Sequence, residues 1–310
     1  MTTTPTPPVV PADTAAIPRQ LTAAERRAAA ARAKLSSPWA SAVAIVIALV
    51  WTIPTIGLLV SSFRPQQSIN TSGWWTWFTN PEFTFANYDE VLFGARESFS
   101  TYFINSIVIT LPAVVIPITL ALLAAYAFAW IDFKGRDILF VAVFALQIVP
   151  LQVALIPLMQ QYVRWEIAGS FWTVWLSHSI FALPLATFLL HNFMKDIPPS
   201  LVEAARVDGA GHVKIFFRVL LPLLVPAIAA FGIFQFLWVW NDLLVALTFA
   251  GGTPNVAPLT ARLAELAGSR GEAWHLLTAG AFVAMIVPLV VFLALQRYFV
   301  RGLLSGGVKG

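Results

Sequence analysis

The strongest constraint on this chain is a recurrence of long apolar blocks. Six stretches run about 20 residues or more with almost no charge: Trp39–Val60, Phe103–Ala129, Ile138–Val163, Phe171–Leu190, Leu220–Phe249 and Leu276–Phe299. A helix rises 1.5 Å per residue and the hydrocarbon core of a bilayer is about 30 Å thick, so each block is long enough to cross it. In lipid every backbone polar group needs a partner within the protein, and a helix supplies partners within one segment. The expected fold is all-α: a polytopic membrane protein with six transmembrane helices. Composition agrees, because a chain 58% hydrophobic and 11% charged lies outside the range of soluble domains. There are no cysteines, which removes disulfides and thiolate metal sites.

Charge sets the expected orientation. With the N-terminus inside, fourteen of the nineteen Lys and Arg residues fall on inner segments, from Arg19 through Lys34, Lys134–Arg136, Lys195–Arg218 and Arg297–Lys309. The outer segments hold Arg64, Arg96, Arg164, Arg262 and Arg270. The positive-inside rule therefore places both termini in the cytoplasm. Residues 1–38 form a Pro-, Thr- and Ala-rich, basic N-terminal segment expected to be disordered. The block Trp39–Val60 follows a basic stretch, as a signal peptide would. It is longer than a signal core and far from the start, and reads as an uncleaved span. Residues 39–300 make up the membrane domain and 301–310 a glycine-rich cytoplasmic tail.

Several spans carry residues that lipid disfavours. Pro112, Pro117, Pro150, Pro157 and Pro288 each remove a helix donor, so neighbours or water must satisfy the carbonyls they leave behind. Gln147, Gln152, Ser177, His178 and Ser179 are polar at depth and are expected to face the bundle interior. His178 is either a satisfied interhelical contact or part of a substrate route. At the end of the fifth block, Gln235, Trp238, Trp240, Asn241 and Asp242 set rings beside amides and a carboxylate, which suits a sugar; the acid could also reach the interface instead. Trp74, Trp75, Trp77 and Phe78 suit an interfacial belt or a docking patch. The turn formers Gly251, Gly252, Pro254 and Pro258 open an outer loop over residues 250–275, with a short helix expected at Leu259–Ala267.

One polar island interrupts the apolar pattern. It runs from Pro198 to Pro222, between the fourth and fifth blocks. Ser200 and Glu203 have capping-box spacing, Leu201–Val207 can form about two turns, and Asp208-Gly209 offers a stop with a glycine able to take positive φ. The bland reading is a capped loop helix whose glutamate serves its own backbone. The chain also lacks a GxxxxGK[ST] phosphate loop, HExxH and CxxC, so no catalytic constellation stands out.

Within the island, Glu203-Ala204-Ala205 is followed after three residues by Gly209, and after nine more by Val219, Leu221 and Pro222. This resembles the EAA signature of the membrane subunits of bacterial ABC importers, with only the Ile position changed, to Val. Further pieces resemble the carbohydrate-uptake subfamily: Asn105-Ser106, Ala124-Ala125-Tyr126 before Phe133-Lys134-Gly135-Arg136, Trp240-Asn241, and the ending Gly307-Val308-Lys309-Gly310. The ending is similar to the G-type permease of maltose and α-glucoside transporters, and the loop GGTPNVAPLT looks most like the α-glucoside and trehalose branch.

The resemblance implies a type I importer architecture in the bacterial cytoplasmic membrane. It implies that Glu203, Ala204, Ala205, Asp208 and Gly209 belong to a cytoplasmic coupling helix docked on an ATPase, while His178, Trp240, Asn241 and Asp242 border the substrate path. It implies partners as well: a second, F-type permease, two ATPase subunits and an extracytoplasmic sugar-binding protein, with no nucleic acid. ATP and Mg would be bound by the ATPase, and this chain would carry no cofactor or enzyme activity of its own. The outer loop is expected to reach into the docked binding protein and the tail to touch the ATPase dimer. An ion-coupled secondary sugar transporter is the rival reading; it would need more ionisable groups deep in the spans.

Overall fold

The computed structural model describes residues 38–94, 99–251, 253–269 and 271–307, with side chains through residue 296. The N-terminal segment before residue 38, Arg96, Arg270 and the last three residues lie outside the described residues. Contacts divide the chain into a unit ending at Ile56 and a second unit, Gly57–Gly310. Among the described residues, five helices are long and apolar enough to cross a membrane. They are α1 (Pro38–Ser62), α4 (Phe99–Trp130), α7 (Phe171–Lys195), α9 (His212–Trp240) and α12 (Trp274–Gly307). Between α1 and α4 lie the short helices α2 (Gln66–Thr71) and α3 (Ala86–Phe93), with a 3-10 turn at Trp74–Phe78.

The third apolar block departs from the straight span expected for it. Its two halves, Arg136–Ile148 and Leu151–Arg164, meet at an angle of 100°. The first contains α5 (Arg136–Ala145) and the second is α6. Proline disfavours helical geometry in the residue before it, and Val149 is extended at ψ 119° just ahead of Pro150. A 3-10 turn at Leu146–Ile148 tightens the chain before the break. The expected tight turn ahead of it is present: Gly135, at φ +80°, carries the chain from α4 into α5.

Three other prolines, Pro112, Pro117 and Pro288, leave their helices unbroken, and the carbonyls they free find new donors. A proline at position i supplies no N–H to the carbonyl at i−4. Pro112 orphans Val108, whose oxygen accepts the indole N–H of Trp175 from α7 at 3.0 Å. Pro117 orphans Ala113, whose oxygen accepts the amide of Gln235 from α9 at 3.1 Å. Pro288 orphans Ala284, whose oxygen accepts the indole N–H of Trp240 at 3.2 Å. The neighbours thus satisfy three of the carbonyls that the sequence predicts to be exposed, and α4 continues through two prolines as one helix.

Small residues let α4 and α7 approach closely, their contact being the most extensive in the chain. Ala113, Ala121 and Ala125 of α4 and Ala182 and Ala186 of α7 are almost wholly buried. The fifth block is also redrawn. Its helix starts earlier, at His212, widens into a π turn at Phe216–Leu220 just before Pro222, and ends at Trp240. A wider turn there relieves the clash between the Pro222 ring and the backbone one turn back. Leu244–Phe249 is a separate helix, α10. α12 runs through Gly307, past the expected end at Phe299.

Candidate functional site

The island between α7 and α9 folds as α8, Pro199–Val207. Its start corrects the expected capping box. Pro198 is the N-cap residue, Pro199 the first helical one, and no side chain caps the end. Proline suits that first position because its ring presets φ and its missing N–H would have had no helix partner. Ser200 therefore sits inside the first turn, and Glu203, in mid-helix, is exposed.

The other end agrees with the sequence. Gly209 takes φ +75°. Its N–H donates to the Arg206 carbonyl, and the Ala210 N–H reaches back to the Ala205 carbonyl, each at 2.9 Å. This is a Schellman motif, which accounts for the fixed spacing of Ala205 and Gly209. Val202 is buried, and Ala205 and Ala210 pack on the same core cluster. The opposite face carries Leu201, Glu203, Ala204, Val207 and Asp208, all exposed, with Val207 88% accessible. After Gly211 the chain enters α9, where His212 Nδ1 lies 2.7 Å from the Tyr126 hydroxyl. The Tyr126 ring packs edge-on against Phe216. The sequence reading quoted Tyr126 only as part of a motif and did not foresee this link.

At the other end of α4 the 250–275 loop is pinned down. The expected helix Leu259–Ala267 is present as α11. The Asn105 amide donates to the carbonyls of Pro254 at 2.8 Å and Ala257 at 3.0 Å. Ser106 Oγ accepts the Leu259 N–H at 2.8 Å. Thr260 Oγ1 donates to the Asp242 carbonyl at 2.6 Å. Val256 through Leu259 are buried, whereas Thr253 and Asn255 are exposed.

Of the four residues nominated for a substrate path, two come together. His178 is wholly buried on α7, with Nε2 at 3.6 Å from the Asp242 carboxylate. Among the described residues neither ring nitrogen has a hydrogen-bond partner. The Asp242 carboxylate also accepts the N–H groups of Val245, at 3.3 Å, and Ala246, at 2.9 Å, and so caps α10. Asn241 is exposed, and its amide donates to the Leu237 carbonyl. Trp240 lies in the packing between α4, α9 and α12, stacked on Phe236 and edge-on to Phe103. Trp238, which the sequence places at the end of the fifth block but which is not among those four, lies in the last turn of α9, just before Asp242. Trp238 meets the His178 ring edge-on at 5.2 Å and lines a cavity of about 390 Å³ with Gln147, Pro150, Phe181 and Pro184. Among the described residues no group of three His, Cys, Asp or Glu could hold a metal ion.

Residues 101–305 match the family model described as "Binding-protein-dependent transport system inner membrane component". The chain is 53% identical over 269 residues to the osmoprotective compounds uptake permease protein GgtD of Synechocystis sp., covering 86% of this chain and 90% of that one. It is 49% identical over 260 residues to the alpha-glucoside transport system permease protein AglG of Rhizobium meliloti, covering 81% and 67%. In fold it is similar to a chain of a bacterial ABC transporter involved in the import of the acidic polysaccharide alginate, with a TM-score of 0.68 and 20% identity over 90% of this chain and 99% of that one.

Proposed function

The chain belongs to the family of binding-protein-dependent transport system inner membrane components, and we propose that it is one permease subunit of an ATP-driven importer for an α-linked di- or oligosaccharide or a related glucoside. The names of its relatives, an α-glucoside permease among them, support the substrate class. Its working partners are a second permease, two ATPase subunits that bind ATP and Mg, and a sugar-binding protein. The orientation follows the charge bias: island and termini face the cytoplasm, and the 250–275 loop faces the binding protein.

The observation that carries the reading is the island. An exposed Leu201, Ala204 and Val207 stripe beside Glu203 and Asp208 is an unusual face for a solvated helix, and it suits a protein cleft. The inward face is anchored by Val202 and Ala205, and the end is locked by the Schellman motif, so a push from the ATPase is passed on rather than absorbed. On the substrate side, His178 and Asp242 with Trp238 and Asn241 supply a ring, an amide and ionisable groups suited to hydroxyls. Trp240 supports this path only from behind, because its N–H is held by Ala284.

The test is the reconstituted complex in proteoliposomes, assayed for ATPase activity with the binding protein and a saccharide panel including trehalose and maltose. Stimulation by at least one α-linked sugar is expected. Absence of stimulation by every sugar would overturn the substrate class, and uptake driven by an ion gradient without ATP would favour the rival ion-coupled reading, to which the buried His178–Asp242 pair lends itself.

A further inference from the structure

The two ends of α4 hold the two segments that must communicate. Near its start, Asn105 and Ser106 make three hydrogen bonds to the backbone of the 250–275 loop, at Pro254, Ala257 and Leu259. Near its end, the Tyr126 hydroxyl meets His212 Nδ1 at 2.7 Å, one residue beyond the glycines that follow α8, and its ring packs edge-on to Phe216. Asn105 and Tyr126 are about 30 Å apart along the helix at 1.5 Å per residue, one membrane thickness. All these contacts lie within a single unit of the chain.

For a rod to carry motion over that span it must not bend. Pro112 and Pro117 lie between the two polar attachments and would be weak points. Their freed carbonyls are held by Trp175 and Gln235 from two different helices, and α4 is unbroken from Phe99 to Trp130. The attachments themselves are buried: Asn105 is 6% accessible, Ser106 2% and Tyr126 7%. Buried, directional bonds at each end transmit displacement better than apolar contact, which allows sliding.

We propose that α4 is a strut that links docking of the loaded binding protein at the 250–275 loop to the coupling island, with Asn105 and Tyr126 as positioning residues at its two ends. The proposal rests on the importer reading given above. Neither residue need touch sugar, nucleotide or the partner proteins. Their contribution is to the ratio of stimulated to basal ATPase activity.

The experiment uses the whole reconstituted complex with binding protein loaded with trehalose, and with maltose in parallel. Asn105→Ala removes two of the three hydrogen bonds that hold the loop, and Tyr126→Phe removes only the hydroxyl and leaves the ring on Phe216. Each is expected to leave basal ATPase within about twofold and to lower stimulation about fivefold, a loss of roughly 1 kcal/mol of coupling. The double variant is expected to be no worse than the weaker single one, because a strut cut once is cut. Unchanged stimulation in Tyr126→Phe, or losses that multiply in the double variant, would overturn the strut. Should Asn105→Ala fail to assemble, hydrogen exchange at the Leu259 amide in the Tyr126→Phe complex decides. Faster exchange 30 Å from the substitution is expected, and an unchanged rate refutes the proposal. A wild-type complex that no loaded binding protein stimulates would count against the importer reading and not against the strut.

Discussion

Trp240 offers the sharpest test of how the bundle tolerates its prolines. Its indole N–H is the donor for the Ala284 carbonyl that Pro288 leaves unpaired, at 3.2 Å. Trp240→Phe removes that donor and keeps a ring to stack on Phe236. A buried acceptor left unmet costs about 1–3 kcal/mol in proteins generally. Interhelical bonds in membranes average about 0.6 kcal/mol and reach about 1.7. Because Trp240 is only 4% accessible and water has little access, about 1 kcal/mol is expected for the bond, plus whatever the smaller ring loses in packing. Pro288→Ala separates the two contributions. It restores the N–H at position 288, so the Ala284 carbonyl no longer depends on Trp240. In that background Trp240→Phe should show the packing loss alone, and the double-mutant cycle should return a coupling of about 1 kcal/mol. The assay is equilibrium unfolding in mixed micelles followed by far-ultraviolet circular dichroism. An equal cost in both backgrounds would refute the pairing of proline and donor. A raised KM for sugar uptake with unchanged stability would instead return Trp240 to the substrate path.

Further tests concern the island, the loop and the buried pair. With no capping box to maintain, Glu203→Gln should be neutral for the helix; if the carboxylate pairs with a cation in the ATPase cleft, ATPase recruitment falls, by up to about 3–5 kcal/mol if the pair is buried, and Glu203→Lys is worse. Equal recruitment of ATPase by wild type and Glu203→Gln would remove that role. Gly209→Val should cost about 1–2 kcal/mol through its left-handed backbone, since a Cβ there meets nothing within 4 Å; helix loss at the island in exchange experiments would show it. Asn255→Arg at the exposed loop tip should lower the stimulated-to-basal ATPase ratio, whereas deleting Thr253–Ala267 would also remove the buried Ala257 and Leu259 and is the poorer test. Asp242→Ala should lose the α10 cap, about 0.5–2 kcal/mol, while Asp242→Asn keeps it; a KM for uptake raised in both variants would mark the carboxylate as part of the sugar route.

Much of this could be read in the sequence because membrane spans and helix stops have local signals. The apolar blocks, the Gly209 stop and the short helix at Leu259–Ala267 each depend on residues within a turn or two. The failures share a different cause. Ser200 and Glu203 have the spacing of a capping box, yet Pro198-Pro199 starts the helix first. Pro112 and Pro117 have donors facing the carbonyls they free, and those donors lie far along the chain. The bond from Trp240 to Ala284 has no local signal, because the carbonyl it meets is 44 residues away. Asn105 and Tyr126 were noticed as motif letters, but their partners are reached only through the tertiary packing.

The prolines of α4 also impose an order on biogenesis. α4 is synthesised first, and its two unpaired carbonyls enter the membrane with it. The donor for Val108 follows 67 residues later and the donor for Ala113 follows 122 residues later. At 5–20 residues per second, the second gap lasts about 6–24 s. Over that interval a lone α4 would hold unmet acceptors in hydrocarbon, where each costs several kcal/mol. The nascent helix is therefore expected to stay in a wet or protein-lined part of the insertion machinery until α7 and α9 arrive, so that its release into lipid is timed by residues not yet translated when it enters.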